Sequence, residues 1–517
     1  MMRSLRRDPC LAAVLCVAWT LSATAAPPAV TDTPVSSVSV LVDSGPAATS
    51  AGLAAAVNPF RADAPVVMAA RIPTLTVAAA GDPASRDALF AAPAPAEESR
   101  ADLFGDAQGA KSVRLSGFLD GLAAYTYADP THWSRAVGRL QLTAQGTFED
   151  GVRWKASGRV EGDPLYLNSG FYPDTVKRDQ RIDFLWGENY LDFSVQDWDF
   201  RLGAQQIVWG EVVGLYFADV VSALDLRDFL LPSFDVMRIP QWAARAEYTT
   251  GDSHFEFIYV PVPTFDNIGK PGSDFYPVPL PSPLPSDVGA LFDDPQRPAR
   301  TLSNGNFGVR ANTLLAGWDL SAFYYRSFST SPTFYRLPSD DPAQPYRVVP
   351  RYDRIWQAGG TVSQDLGPAV LRGEAVYTHG GNFAVSDLET ADSTVARQTL
   401  DYIVSLEWGL PHDTRVNVQG FQRYFFGAGS GGIAIPNDGV GASVFVSSRL
   451  TPTLTPQILW IRNFHDGGQL VRPRLDWAAA PNLTVSFGVD IFSGSTDTFF
   501  GRYDNRDRVY TEARLAF

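Results

Sequence analysis

Thiols are almost missing from this sequence. Its 517 residues hold two cysteines, Cys10 and Cys16, and both fall in an N-terminal stretch with the form of an export leader. Arg3, Arg6 and Arg7 precede an apolar run from Leu11 to Leu21, and Ala23-Thr24-Ala25 offers a small-residue cleavage site. With 1–25 removed as a signal peptide, the expected mature chain has no disulfide, no thiolate metal ligand and no cysteine nucleophile. Histidine is scarce as well. His132, His254, His379, His412 and His465 are scattered, with neither metal-ligand spacing nor a triad signature. The glycine run from Gly427 to Gly432 lacks the lysine and the helix of a phosphate loop. No catalytic residue, metal or cofactor is therefore expected, and no enzymatic activity. Long apolar runs are missing too: no expected mature segment reaches about 18 consecutive apolar residues, which excludes a helical membrane span. Excess positive charge is also absent. A net charge of −14 excludes nucleic acid as a partner.

What the chain does have is aromatic residues, at 12%, set in alternating runs. Residues 26–110 carry almost none of them. That stretch is dominated by Ala, Pro, Val, Thr and Ser, as in Ala91-Ala92-Pro93-Ala94-Pro95-Ala96. It buries too little surface to offset ordering entropy, and is expected to be a disordered periplasmic tail or linker. The texture changes near 111 and holds to 517. Val113, Leu115, Gly117, Leu119, Gly121, Ala123 and Tyr125 alternate with Arg114, Ser116, Phe118 and Asp120. Leu400, Tyr402, Val404, Leu406, Trp408 and Leu410 alternate with Asp401, Ser405 and Glu407. Period-two alternation of this kind predicts strands.

Eighteen strands are expected between 112 and 517, with sixteen as the nearest alternative. Tight turns such as Glu149-Asp150-Gly151, Thr250-Gly251-Asp252 and Pro411-His412 alternate strictly with mostly longer connections such as 163–180, 211–238, 263–302 and 330–351. Short turns at one end and long loops at the other are the asymmetry of a transmembrane antiparallel β-barrel, with the loops extracellular. The last strand ends on Phe517, with Leu515, Ala513, Thr511 and Val509 on its face. This terminus resembles the assembly signal of Gram-negative outer-membrane proteins and implies the barrel-assembly machinery and outer-membrane lipid as partners.

The segments Leu202-Gly203-Ala204-Gln205-Gln206-Ile207-Val208-Trp209-Gly210-Glu211, Asp219-Val220-Val221-Ser222, Leu226-Arg227-Asp228-Phe229 and Arg238-Ile239-Pro240 resemble a group of uncharacterised proteobacterial outer-membrane barrels, porin-like and alginate-export-like. The resemblance covers about 110–517 and is sharpest at 200–240. It implies a barrel in the outer membrane and no particular substrate.

The 211–238 connection is the unusual one. Other long connections are rich in Pro, Gly and Asp, whereas this one is apolar and carries charge. Ser222-x-x-Asp225 has capping-box spacing and predicts two helical turns over Ala223–Leu230, ended by Pro232. As the third extracellular loop it is expected to fold inward as a pore constriction made of Glu211, Asp219, Asp225, Arg227, Asp228, Asp235 and Arg238. Opposite it, the inward strand faces supply a basic lumen wall of Arg201, Arg245, Arg415, Arg423, Arg472 and Arg474. Further inward charges include Arg139, Arg159, Arg508 and Arg514, with Glu161, Glu374, Asp401, Asp476 and Glu512. Charges in such numbers face water rather than lipid, and opposed charges in a narrow lumen select solutes by size and sign. This arrangement resembles the eyelet of general porins. The Pro-rich connection 263–302 is expected to be extended and exposed.

The function these features point to is passive diffusion of small solutes through a monomer or homotrimer. The alternative is a substrate-specific transporter or exporter of apolar or polymeric ligands working with a periplasmic partner. For that alternative, Phe118, Phe323, Tyr325 and Phe421 count as lumen aromatics. A third class is a structural barrel with an occluded lumen.

Overall fold

Alternating side chains can satisfy lipid on one face and a polar interior on the other only if the sheet has no free edge. The chain meets that condition by closing on itself. The computed structural model describes residues 113–212, 218–278, 291–339, 346–386 and 393–517. The expected leader and the Ala/Pro-rich tail at 26–110 lie outside the described residues.

The strands are β1 (Arg114–Thr126), β2 (His132–Thr147), β3 (Arg153–Gly162), β4 (Ile182–Val195), β5 (Trp198–Gln205), β6 (Ala223–Leu224), β7 (Arg238–Ile239), β8 (Gln241–Thr250), β9 (Ser253–Val260), β10 (Asn306–Leu315), β11 (Trp318–Phe328), β12 (Thr333–Pro338), β13 (Tyr346–Arg351), β14 (Arg354–Asp365), β15 (Val370–Ala384), β16 (Thr394–Leu410), β17 (Thr414–Phe425), β18 (Val440–Ser447), β19 (Leu454–Asn463), β20 (Gln469–Ala480), β21 (Leu483–Ser493) and β22 (Arg508–Ala516). Eighteen of them form one antiparallel sheet. β6–β7 and β12–β13 are separate small hairpins within long connections. β22 pairs with β1, from Phe118↔Ala516 to Thr126↔Arg508, and closes the barrel. At the end of that seam the backbones of Gly117 and Phe517 exchange hydrogen bonds of 2.7 and 3.0 Å.

The faces separate as the alternation predicts. On β16 Tyr402 and Val404 point outward and are exposed, while Thr399, Asp401, Ile403 and Ser405 are buried inside. Leu119, Leu140, Leu142, Phe184, Trp186, Trp242, Phe257, Tyr324 and Trp477 are among the other large outward side chains. They form the apolar exterior of an outer-membrane-type barrel. At the short-turn end Gln196, Gly251, Ala316, Gly317, Gly367, His412 and Asp413 adopt positive φ, the backbone that matches a two-residue hairpin to the strand twist.

Three details differ from the sequence reading. First, the predicted helix over Ala223–Leu230 does not form. The Ser222 hydroxyl donates to the Ile207 carbonyl at 2.8 Å instead of capping. The Asp225 carboxylate is taken by Arg227, and Phe229 has φ +56°, which no right-handed helix accommodates. Ala223–Leu224 pairs with Arg238–Ile239 instead, and the helical turn falls at Phe234–Met237 (α1). Second, the 330–351 connection, read as a plain loop, contains the β12–β13 hairpin. Third, the 263–302 connection is not exposed in its first part: Asp266, Ser273, Phe275 and Tyr276 are buried. Its most proline-rich part, 279–290, lies outside the described residues.

At the long-loop end Asp274 ties four connections together. One oxygen lies 3.0 Å from Nε2 of His132 and 3.2 Å from Nε of Arg506, and the other accepts from the Tyr172 hydroxyl at 2.7 Å. Phe171 stacks on the His132 ring at 3.8 Å. This brace positions the connection that covers the barrel's interior strap.

Candidate functional site

The connection between β5 and β8, residues 206–240, leaves the wall after Gln205 and runs inside the barrel. It is called the strap below. Its first half is held by apolar packing. Trp209 is fully buried between Phe323 and Tyr325 of β11, with ring centroids 5.2 and 5.7 Å away. Ile207, Ala218, Val220 and Val221 complete a cluster with Ala243, Ile258, Val260 and Val376 of the wall. Gly308 on β10 makes this approach possible: a Cβ there would stand 2.7 Å from the Trp209 ring. Phe323 and Tyr325, read from the sequence as lumen aromatics, are thus the bed on which Trp209 lies.

One carboxylate fixes the strap's backbone at this end. Glu374 of β15 is buried, and one of its oxygens accepts from the amides of Glu211 and Val212, the latter at 2.6 Å. The other accepts from the amide of Ala218 at 2.9 Å. A carboxylate shared by three amides satisfies donors that a non-helical, non-sheet segment would otherwise bury unpaired. The middle of the strap is held from the long-loop side. Asn267 exchanges backbone bonds of 2.8 and 2.9 Å with Leu226 and Leu224, and Asp266 accepts from the Leu224 amide at 2.8 Å.

The far end of the strap reaches the opposite wall. Phe229 and Leu231 pack with Phe275, Ile461, Leu470, Phe492, Phe500 and Tyr503. Below them lies a wall of arginines. Arg135 of β2 meets Asp228 at 2.8 Å, with Arg508 of β22 at 3.9 Å from the same group. Arg472 of β20 donates to the Leu231 carbonyl at 2.8 Å and Arg159 of β3 to the Val236 carbonyl at 2.7 Å. Arg514 of β22 pairs with Asp235. The arginines are themselves set by wall carboxylates. Asp490 sits between Arg472 and Arg508 at 2.7 and 2.9 Å. Arg139 lies between its register partners Asp120 and Glu161, at 3.0 and 3.5 Å.

The remaining strap charges of the sequence reading are paired as well. Glu211 meets Arg310 of β10 at 3.3 Å, and Asp219 meets Arg238 within the strap at 3.3 Å. Arg227 bridges Asp225 at 2.5 Å, Asp183 at 3.1 Å and Glu161 at 3.3 Å. Of the six basic wall residues, Arg472 touches the strap. Arg474 lies beside it and pairs with Asp476 at 2.6 Å. Arg423 pairs with Asp401 at 2.6 Å on the other side of the barrel. Arg201 and Arg245 are neighbours on β5 and β8, compensated by Asp192 at 2.6 Å and Glu256 at 3.0 Å. Arg415 is exposed near the short-turn end. Arg135 and Arg310 were not singled out in the sequence. Arg135 lies on the same face as Arg139, four residues away, so the alternation carried that signal.

The strap leaves a cavity of about 920 Å³ towards β11–β17 and the β12–β13 hairpin. Val220 of the strap, Phe328, Phe334, Gln357, Asp401 and Arg423 are among its lining residues.

Two outcomes test the docking. Replacing Glu374 with alanine leaves three buried amides without an acceptor, at roughly 1–3 kcal/mol each. The barrel should still fold while protease nicks the strap much faster; unchanged nicking contradicts the anchor. The second concerns pH. Burial raises the Asp228 carboxyl, but Arg135, Arg508, Arg139 and Arg227 outweigh it and hold it below the ordinary 3.8. Its attraction to the arginine wall is therefore complete above 3.8 and lost as the pH falls through the lower folded value. Pepsin should nick the Asp228→Asn strap readily at about pH 4, and the wild-type strap comparably only at a distinctly lower pH. Equal nicking at the upper pH contradicts this.

A family model described as a protein of unknown function (DUF1302) matches residues 134–424. No curated protein matches the chain. Among solved structures it is similar to OmpF of Salmonella typhi in complex with daunomycin, at 10% identity over 79% of this chain and 98% of that one, with a TM-score of 0.42. It is also similar to OccK2 of Pseudomonas aeruginosa in complex with glucuronate (10% identity, 78% and 97%, TM-score 0.45) and to OccAB2 of Acinetobacter baumannii (8% identity, 78% and 98%, TM-score 0.47). The family match covers more than half of the 517 residues, and the chain belongs to the DUF1302 family.

Proposed function

We propose that this protein is an outer-membrane channel of a Gram-negative bacterium for passive diffusion of small solutes, with its bore set by the strap. The long loops face outward from the cell and the short turns face the periplasm. The observation that carries this reading is the strap's course. It is anchored on β15 through Glu374 and on β2, β3, β20 and β22 through arginines, so it crosses the interior and divides it. A structural barrel gains nothing from so elaborate a crossing, whereas a diffusion channel needs a fixed narrowing.

The division also assigns the bore a side. The strap and its arginine partners fill the half bounded by β20–β22 and β1–β3. The cavity on the other side has Gln357, Thr378, Thr399 and the Asp401–Arg423 pair on its wall. Solutes are proposed to descend along β14–β17. Glu211, Asp219, Asp225, Arg227, Asp228, Asp235 and Arg238 then act by holding the strap in place, because each is already neutralised by a partner. Arg423 and Asp401 are left to sense the passing solute. The aromatic share of the cavity wall favours a second reading, a channel that binds its substrate before passing it.

Planar-bilayer recording on the purified barrel tests the channel reading. Stable ohmic steps are expected from a bore that stays open beside the docked strap. Silence from a barrel shown to be folded by its heat-modifiable gel mobility would contradict it.

A further inference from the structure

We propose that the cavity between the strap and the β12–β13 hairpin binds amphipathic monocarboxylates, with Arg336 and Arg502 taking the carboxylate and the phenylalanine-rich wall taking the apolar body. The site belongs to the protein whether or not the barrel conducts, so it stands apart from the diffusion reading.

The case begins with charge. Among the described residues, most interior arginines reach a carboxylate: Arg135, Arg139, Arg159, Arg227, Arg423, Arg472, Arg474 and Arg508 all do. Arg336 and Arg502 line the cavity and have no carboxylate of the described residues within ion-pair distance. Arg502 spends Nε on the Phe499 carbonyl at 3.1 Å and Nη1 on the Pro277 carbonyl at 2.8 Å, and stacks over Phe499 and Tyr503. Those bonds fix the guanidinium while leaving its charge uncompensated. Burial accordingly lowers its pKa. Arg336 donates to the Val385 carbonyl and is half-buried.

The carboxylates of the cavity do not cancel these two cations. Asp401 is held by Arg423 and Asp219 by Arg238. Asp353 remains, and it accepts from the Tyr335 hydroxyl at 2.7 Å. Among the described lining residues, two guanidiniums without a carboxylate against one hydrogen-bonded carboxylate leave an excess of positive charge, in a chain of net charge −14. A half-buried cation without a counter-ion is disfavoured unless a ligand supplies one. Phe292, Phe328, Phe334, Phe383 and Phe499 share the same wall. A cavity of about 920 Å³, lined by these phenylalanines on one part and by polar and charged side chains on the rest, has the dimensions of a site for a small organic molecule. Aromatic walls with a positive end select an apolar molecule carrying one anionic group.

Isothermal titration of the folded barrel in detergent, with a detergent-only blank, tests this. The probes are 4-phenylbutyrate, 4-phenylbutan-1-ol and 4-phenylbutylamine, which share one apolar body. The carboxylate should bind at least about tenfold tighter than the alcohol, and the amine should bind weakest. Arg336→Gln and Arg502→Gln should each weaken the carboxylate by about tenfold and leave the alcohol unchanged. Arg336 lies on a surface hairpin, so its variant remains informative if the Arg502 variant fails to fold. Equal binding of the three probes, preference for the amine, no binding of the carboxylate, or full affinity in Arg336→Gln would overturn the proposal. Bilayer silence would leave these titrations unaffected, so failure of the site and failure of the channel reading are separable.

Discussion

Three backbone amides converging on the Glu374 carboxylate are the interaction on which the interior depends. The strap there has left the sheet at Gln205 and has not yet found a partner strand. Buried amides without acceptors would drive it out of the barrel. Glu374 removes that penalty at a single point, and the strap can then lay Trp209 against β11 and Gly308 and continue across the lumen. Had this end been free, the arginine wall would keep its own carboxylates but would have to hold the strap from the far end alone.

The arginine wall is a matter of arrangement more than of attraction. Ion pairs in a partly buried lumen gain Coulomb energy but lose hydration, and the two nearly cancel. What they supply is position. Asp490 holds Arg472 and Arg508, and Asp120 and Glu161 hold Arg139, so the guanidiniums are oriented by the wall. They accept the strap by its carbonyls at Leu231 and Val236 as much as by its carboxylates at Asp228 and Asp235. Charge on the strap is consumed in docking. The residues left to meet a solute are those lining the cavity, where Arg423 pairs with Asp401 and where Arg336 and Arg502 have no carboxylate partner among the described residues.

Much of this was legible in the sequence. All eighteen barrel strands could be placed because period-two alternation is a local signal and each tight turn sits between two alternating runs. The inward course of the strap was legible because Val220, Leu224 and Phe229 are too apolar for an exposed loop. Its internal structure was not. Ser222 and Asp225 have helix-capping spacing, but their partners are Ile207 and Arg227, and tertiary bonds overrode local propensity. Nor could charge partners be assigned. Arg201 and Arg245 read as basic wall residues, but the register sets Asp192 opposite Arg201, and Glu256 lies 3.0 Å from Arg245. Arg472 reaches Leu231 across 241 residues of sequence, a contact that only barrel closure creates. The burial of Phe275 was hidden by its proline-rich surroundings.

The central claim is that the docked strap sets the bore. Comparing the single-channel conductance of the wild-type barrel with that of a barrel lacking residues 215–235 tests it most directly. The account predicts a clearly larger conductance step and weaker size discrimination without the strap. An unchanged step from a folded deletion variant would contradict it.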